Sequence, residues 1–191
     1  PEMPFYFTQM QPYGSVDPNN VGFADIRQVQ HLFFINNRKN VGMVIQSDIN
    51  SANPGGIHYY NKLHPGMRMA RWALNKQYKK DIPYTGPIFK DYKVAGNKAL
   101  ISFEKDSLFG GLMVGSKGLS KDRKEPGKFV EPAMPTPKDK LNHFRLCGED
   151  KKWHPAVANI VGDLVEVISP EVPIPIGVQY AYSAVPEQSN L

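Results

Sequence analysis

The chain has a single cysteine, Cys147, in 191 residues, so no internal disulfide can form and no cysteine-based metal site is available. Lying after Leu146 in an apolar run, it reads as a small buried hydrophobe and not as a nucleophile. The histidines, His31, His58, His64, His143 and His154, lack the paired spacing that zinc sites use, so neither a metal nor an organic cofactor is expected. No Asn-x-Ser/Thr sequon occurs, which removes glycosylation as a clue to compartment. No run approaches the ~18–20 apolar residues of a membrane span, and Pro1-Glu2-Met3-Pro4 has no signal-peptide pattern. Lys and Arg exceed Asp and Glu by 23 to 18, a formal charge of +5, but they are scattered. The densest cluster, Lys117–Lys128, is interrupted by acids, so no nucleic-acid surface is expected.

What is present suffices for a globular core, with 41% apolar residues. The apolar run Phe5-Tyr6-Phe7 starts almost at once and the last residue, Leu191, stops without a turn, so the chain reads as a piece of a longer protein.

Residues 1–82 alternate strand and helix. Pro4–Met10 is a short apolar strand. Phe23, Ile26, Gln30 and Phe33 recur at helical spacing within Gly22–Asn37, with Asp25 in the first turn where its charge suits the helix dipole. Val41–Gln46 is a second apolar run of the kind buried in a parallel sheet. Pro65–Lys79 is a helix with Met67, Ala70, Leu74 and Tyr78 on one face. Together these make half of an α/β layer domain. Residues 83–191 change to short segments broken by Gly, Pro and Asn: Tyr92–Ala95, Ala99–Phe103, Gly111–Val114, His143–Cys147, Ala156–Val161, Leu164–Ile168 and Val178–Tyr182, with turns at Gly96-Asn97 and Gly162-Asp163. This predicts an all-β sandwich, with Gly115–Asp139 as a long exposed loop.

In an open α/β sheet, functional groups gather beyond the carboxyl ends of the strands. One stretch fits: Val41–Ile45 runs into Gln46-Ser47-Asp48, and a Gly-containing loop then delivers His58 before the helix. A hydrolase needs such a pair, the imidazole to take a proton from a hydroxyl and the carboxylate to fix its tautomer. The spacing equally allows Asp48 as a turn former and His58 as a surface residue. Arg27 and Gln30 share a helix face; Arg27 either anchors a substrate carboxylate or the nucleophile's loop, or makes an internal salt bridge. Trp72 and Trp153 read as packed.

Six blocks in chain order resemble the sialate O-acetylesterase family, a branch of the SGNH hydrolases. They are Pro4–Gln9; Ile26-Arg27-Gln28-Val29-Gln30; Val44–Ile49; Ile57-His58-Tyr59-Tyr60-Asn61-Lys62 with Gly66-Met67-Arg68-Met69-Ala70; Gly86-Pro87; and Val178–Tyr182. The resemblance implies the C-terminal half of an SGNH-type, flavodoxin-like α/β/α domain (1–82) followed by a β-sandwich (83–191). It also implies a carbohydrate esterase that removes O-acetyl groups from sialic acid or related glycans, secreted, periplasmic or lysosomal. His58 has the family register, with Asn61-Lys62 and Gly66 following it, although His64-Pro65 repeats the family's His-Pro pair. The family's aspartate positions before the histidine are here Gly55 and Gly56, which leaves Asp48 as the acidic candidate or a Ser-His dyad assisted by a backbone carbonyl. The nucleophilic serine and the oxyanion blocks are not in residues 1–191, so an upstream polypeptide would supply them and this chain alone would be inactive. The alternative is a non-catalytic glycan-binding module or a degenerate esterase.

Overall fold

A computed structural model describes residues 3–17, 19–48, 58, 62–115, 135–186 and 189–191. These form two compact units: residues 3–85 with 183–186, and residues 86–115, 135–182 and 189–191. Among the described residues the fold is mixed α/β, with two α-helices, a short 3-10 helix at Lys105–Ser107 and mostly antiparallel strands.

In the first unit, β1 (Phe5–Thr8), α1 (Ala24–Asn36), β2 (Val41–Val44) and α2 (Leu63–Lys76) follow in order. The strands run parallel, with Phe5 opposite Val41 and Thr8 opposite Val44. A parallel pair needs a long crossover between its strands, and α1 provides it. Strand alternation assigns the faces. Phe7 meets Phe33 of α1 at a ring separation of 6.1 Å, whereas Tyr6 meets Trp72 of α2 at 6.2 Å. Trp72 is the centre of this core: Phe34 stands edge-on to it at 5.7 Å and Tyr84 at 4.7 Å, and the Lys76 ammonium sits 3.9 Å over the Tyr84 ring. Gly42 makes room for the indole, because a Cβ there would come within 2.7 Å of the Trp72 ring and 2.8 Å of Tyr6.

The buried faces of both helices are not the stripes that helical spacing picks out in the sequence. On α2 the buried residues are Pro65 and Trp72, while Met67, Leu74 and Tyr78 are exposed; on α1 they are Ala24, Arg27 and Phe34, while Ile26 and Phe33 are exposed. Among the described residues the sheet has two strands, and these offer each helix one narrow contact stripe. The large indole claims it on α2 and the Arg27 anchor on α1. Helix α2 also starts two residues before Pro65, which is harmless because the first turn has no intrahelical partner for its N–H groups.

The second unit has β3 (Phe89–Ala95), β4 (Lys98–Phe103), β5 (Phe144–Cys147), β6 (Trp153–Pro155), β7 (Val157–Val161), β8 (Leu164–Ile168) and β9 (Gly177–Tyr180). They make two antiparallel sheets, ordered β3-β4-β8-β7 and β6-β5-β9. One core joins them, with Ala99, Ile101, Val165 and Val167 from the first sheet and Phe144 and Leu146 from the second. Inward and outward residues alternate on β4 and β8, as a sandwich requires. The two hairpins turn on positive-φ glycines, Gly96 and Gly162, where the sequence placed turns. Gly111–Val114 is not a strand: Gly110 and Gly111 have φ of 91° and 98°, which breaks the extended backbone, although Leu112 and Val114 still pack on the core. Strand β6 escaped the sequence reading because Trp-His-Pro is too short to show alternation. The greater part of the predicted Gly115–Asp139 loop lies outside the described residues.

On β6, His154 holds a carboxylate at each ring nitrogen, Asp150 at 2.7 Å from Nε2 and Glu171 at 3.1 Å from Nδ1. Only the imidazolium can donate to both. The Asp150 hydrogen bond, opposed by desolvation and helped by Glu171, raises the His154 pKa above 6.5; the His154 bond and the Lys152 amide lower that of Asp150 below 3.8.

Two outcomes follow from this packing. Replacing Gly42 by Ala should cost about 1–3 kcal/mol through overpacking against Trp72, read from the urea midpoint. A raised histidine pKa stabilises fully below its unfolded value and is lost as pH rises through the folded one, whereas the depressed Asp150 contribution is lost as pH falls through its folded value. The melting temperature of His154→Gln should therefore fall furthest below wild type between pH 3.8 and 6.5, and the gap should close in alkali.

Candidate functional site

The carboxyl ends of the parallel strands carry a buried polar layer. Gln9 follows β1 and Gln46 follows β2, and both are buried. The Gln46 amide donates to the Gln9 carbonyl at 3.1 Å, the Gln9 amide donates to the Arg27 carbonyl at 3.0 Å, and the Met10 N–H donates to Gln30 Oε1 at 2.7 Å. Two of these bonds pair backbone groups of Gln9 and Met10 just past the end of β1, and the third ties the layer to the Arg27 carbonyl of α1.

Arg27 lies beneath this layer with 6% of its surface exposed. Its guanidinium donates to the Ser183 carbonyl and, at 3.5 Å, to that of Ala184. The same returning segment is held by Ala184 N–H on the Asn20 carbonyl at 2.6 Å and by Tyr13 N–H on the Ala184 carbonyl at 3.2 Å. Arg27 thus anchors main chain within the first unit.

Asp48 lies beyond β2 and meets Arg68 of α2 in a two-pronged pair, with Nη1–Oδ1 at 2.7 Å and Nη2–Oδ2 at 2.5 Å. Nη1 also donates to the Ile45 carbonyl at 2.8 Å. Burial alone would lower the Arg68 pKa, but the Asp48 hydrogen bonds and charge overcome it and raise the pKa. The fork fixes the carboxylate's orientation as well as its charge. His64, one helical turn before Arg68, feels this pair: burial and the Arg68 charge lower its pKa against the opposing pull of Asp48.

His58 falls ten residues after Asp48 and ten before Arg68 in the chain, and its side chain is exposed. Gly55, Gly56, Ile57 and Tyr59–Asn61 lie outside the described residues. The structure thus joins Asp48 to Arg68, sets His64 in their field, and places Arg27 in the buried layer. Arg68, Gln9 and Gln46 carried no role in the sequence reading. The signal was there: each strand run ends one or two residues before a Gln, and Arg68 stands in the same block as His58. An open apolar trough of about 370 Å³, lined by Met67, Ala70, Arg71, Leu74, Ile82 and Pro83, runs along the exposed side of α2 and has no acid or base partner for Arg71 among its lining. Among the described residues, no group of three or more His, Cys, Asp or Glu is placed to hold a metal ion, and neither helix is long and apolar enough to cross a membrane.

No protein-family model matches the chain, and no curated protein matches it by sequence. Among solved structures it is similar to a carbohydrate acetylesterase from Xanthomonas citri, with 28% identity and a TM-score of 0.74 over 98% of this chain. The chain spans 38% of the length of that protein. The fold is accordingly that of part of a carbohydrate-esterase-like protein.

Breaking the fork tests its contribution. Because both side chains are about 30% exposed, Arg68→Ala should cost roughly 1–2 kcal/mol in urea unfolding, and Arg68→Lys, which keeps the charge but loses the fork, should recover only part of it.

Proposed function

We propose that the chain is the histidine-bearing part of a serine carbohydrate esterase that removes O-acetyl groups from glycans, sialic acids among them. The observation that carries this reading is the likeness to a carbohydrate acetylesterase along nearly the whole chain, taken with a histidine in the family's register beyond the end of a parallel strand. In this reading the first unit is the C-terminal half of an SGNH-type domain and the second is its appended β-sandwich. The nucleophilic serine and the oxyanion donors come from an upstream polypeptide, so residues 1–191 alone do not turn over substrate.

His58 would take the serine hydroxyl proton as the oxygen attacks the acetyl carbonyl. It would return that proton to the departing sugar hydroxyl, and the acyl-serine would then be hydrolysed by water activated through the same ring. Asp48 contributes most directly through its hold on Arg68. With that carboxylate engaged, His58 works in a dyad oriented by a main-chain carbonyl, or Asp48 is shared between the two. The same engagement favours a second reading, an esterase fold that has lost catalysis and only binds glycan. Arg27 serves the site by fixing the main chain around it and not by meeting substrate.

In the complete protein, His58→Ala should reduce acetyl release from an O-acetylated glycan by at least ~10³-fold while leaving glycan binding within about 2-fold. A serine-directed fluorophosphonate should label the upstream polypeptide and not this chain. Unchanged acetyl release in His58→Ala would reject the assignment, and no label on the complete protein would favour the degenerate esterase.

A further inference from the structure

Strand alternation gives the β6-β5-β9 sheet two faces. Phe144 and Leu146 of β5 point into the sandwich core with Val178 and Tyr180 of β9, so Arg145, Cys147, Gly177 and Gln179 point outward. Two cross-strand rows make up that outer face: Trp153, Cys147 and Gly177, then Pro155, Arg145 and Gln179. Gly177 makes room for an indole. A Cβ there would stand 3.1 Å from Cη2, at the far side of the Trp153 ring system, and 3.7 Å from Cζ3. The indole therefore reaches from β6 past Cys147 to β9, which accounts for an outward-pointing cysteine that is only 7% exposed. Its other side is not covered to the same degree: Trp153 is half-buried, as are Arg145 and Gln179, and Pro155 is exposed.

Polar groups of one kind stand beside that ring. Arg145 Nη2 donates to the Trp153 carbonyl at 2.8 Å, which fixes the guanidinium next to the indole, and Gln179 is the cross-strand partner of Arg145. Arg145 is the one charged side chain in the two rows, so the face is cationic. An indole face is apolar and electron-rich, and it suits the polarised C–H groups on the flat side of a sugar ring. A guanidinium fork matches a carboxylate, and an amide both donates to and accepts from hydroxyl and acetamido groups. Three strands by two rows cover about 10 Å by about 7 Å, the footprint of one or two sugar rings. That is far less than the ~800 Å² a stable protein partner covers on each side.

We infer that the outer face of the β6-β5-β9 sheet is a binding site for a carboxylated sugar ring of the sialic-acid kind. The ring stacks on Trp153, its carboxylate pairs with Arg145, and Gln179 takes a neighbouring hydroxyl or acetamido group. The site itself rests on the geometry of the sheet, whereas the choice of sialic acid among acidic sugars rests on the proposed function. A neutral sugar would use the indole and leave the charge of Arg145 without a role in recognition.

Fluorine NMR of the complete protein, upstream polypeptide included and grown with fluorotryptophan, reads the site directly. The Trp153 signal is assigned by its loss in Trp153→Phe and followed during titration with sialyllactose. It should shift and saturate in the millimolar range while the Trp72 signal stays still, and lactose at the same concentrations should leave both in place. Gln179→Ala should weaken the affinity about 5-fold, the worth of one hydrogen bond, and Arg145→Gln at least ~10-fold. If Arg145→Gln fails to fold, because its guanidinium also holds the Trp153 carbonyl, Gln179→Ala provides the same comparison. A Trp153 signal unmoved by sialyllactose would overturn the inference, as would an equal shift with lactose. Saturable binding at Trp153 in a complete protein that takes no fluorophosphonate would uphold the site while rejecting the esterase reading. Acetyl release with an unmoved Trp153 signal would do the reverse.

Discussion

A buried guanidinium holds the first unit together. Arg27 sits on the inner face of α1 and spends its charge on the carbonyls of Ser183 and Ala184, residues that follow the last strand of the sandwich. A cation withdrawn from water is costly unless polar groups replace the lost hydration, and leaving one unpaired costs several kcal/mol. The chain meets that demand with main-chain oxygens. The Arg27 carbonyl in turn accepts from Gln9, and Gln9 accepts from Gln46, so the charge, both strand ends and the returning segment form one connected layer.

The candidate site stands on that layer. Asp48 continues the strand that Gln46 ends, and its fork to Arg68 ties the end of β2 to the second turn of α2, with His58 midway between them in the chain. Strand end, helix and polar layer are each rigid for different reasons: hydrogen bonding to β1, packing around Trp72, and the pairing of buried amides. The hydrolysis proposed for the complete protein would need this kind of support, since a misplaced imidazole loses most of its advantage as a base.

Much of this was legible in the residues. The two parallel strands, the two helices and most of the sandwich follow from apolar periodicity, and both glycine turns are where the sequence put them, because a positive φ leaves few residue choices. Which face of each helix is buried was not legible. Met67, Leu74 and Tyr78 make as apolar a stripe as Trp72 and Pro65, and periodicity cannot rank two stripes when the neighbouring layer is absent from the pattern. Nor could spacing show that Asp48 meets Arg68, since the pair closes 20 residues of chain. Family register singled out His58, but the geometry around that residue comes from elsewhere.

The return of residues 183–186 to the first unit gives the chain an unusual order of completion. Domains of a growing chain ordinarily close in the order they are synthesised. Here α1 carries a charge whose acceptors, Ser183 and Ala184, follow every described strand of the sandwich in the chain. The Arg27 layer of the first unit therefore cannot close before residues 183–186 have been synthesised, so completing this unit is coupled to the synthesis of the strands that lie between.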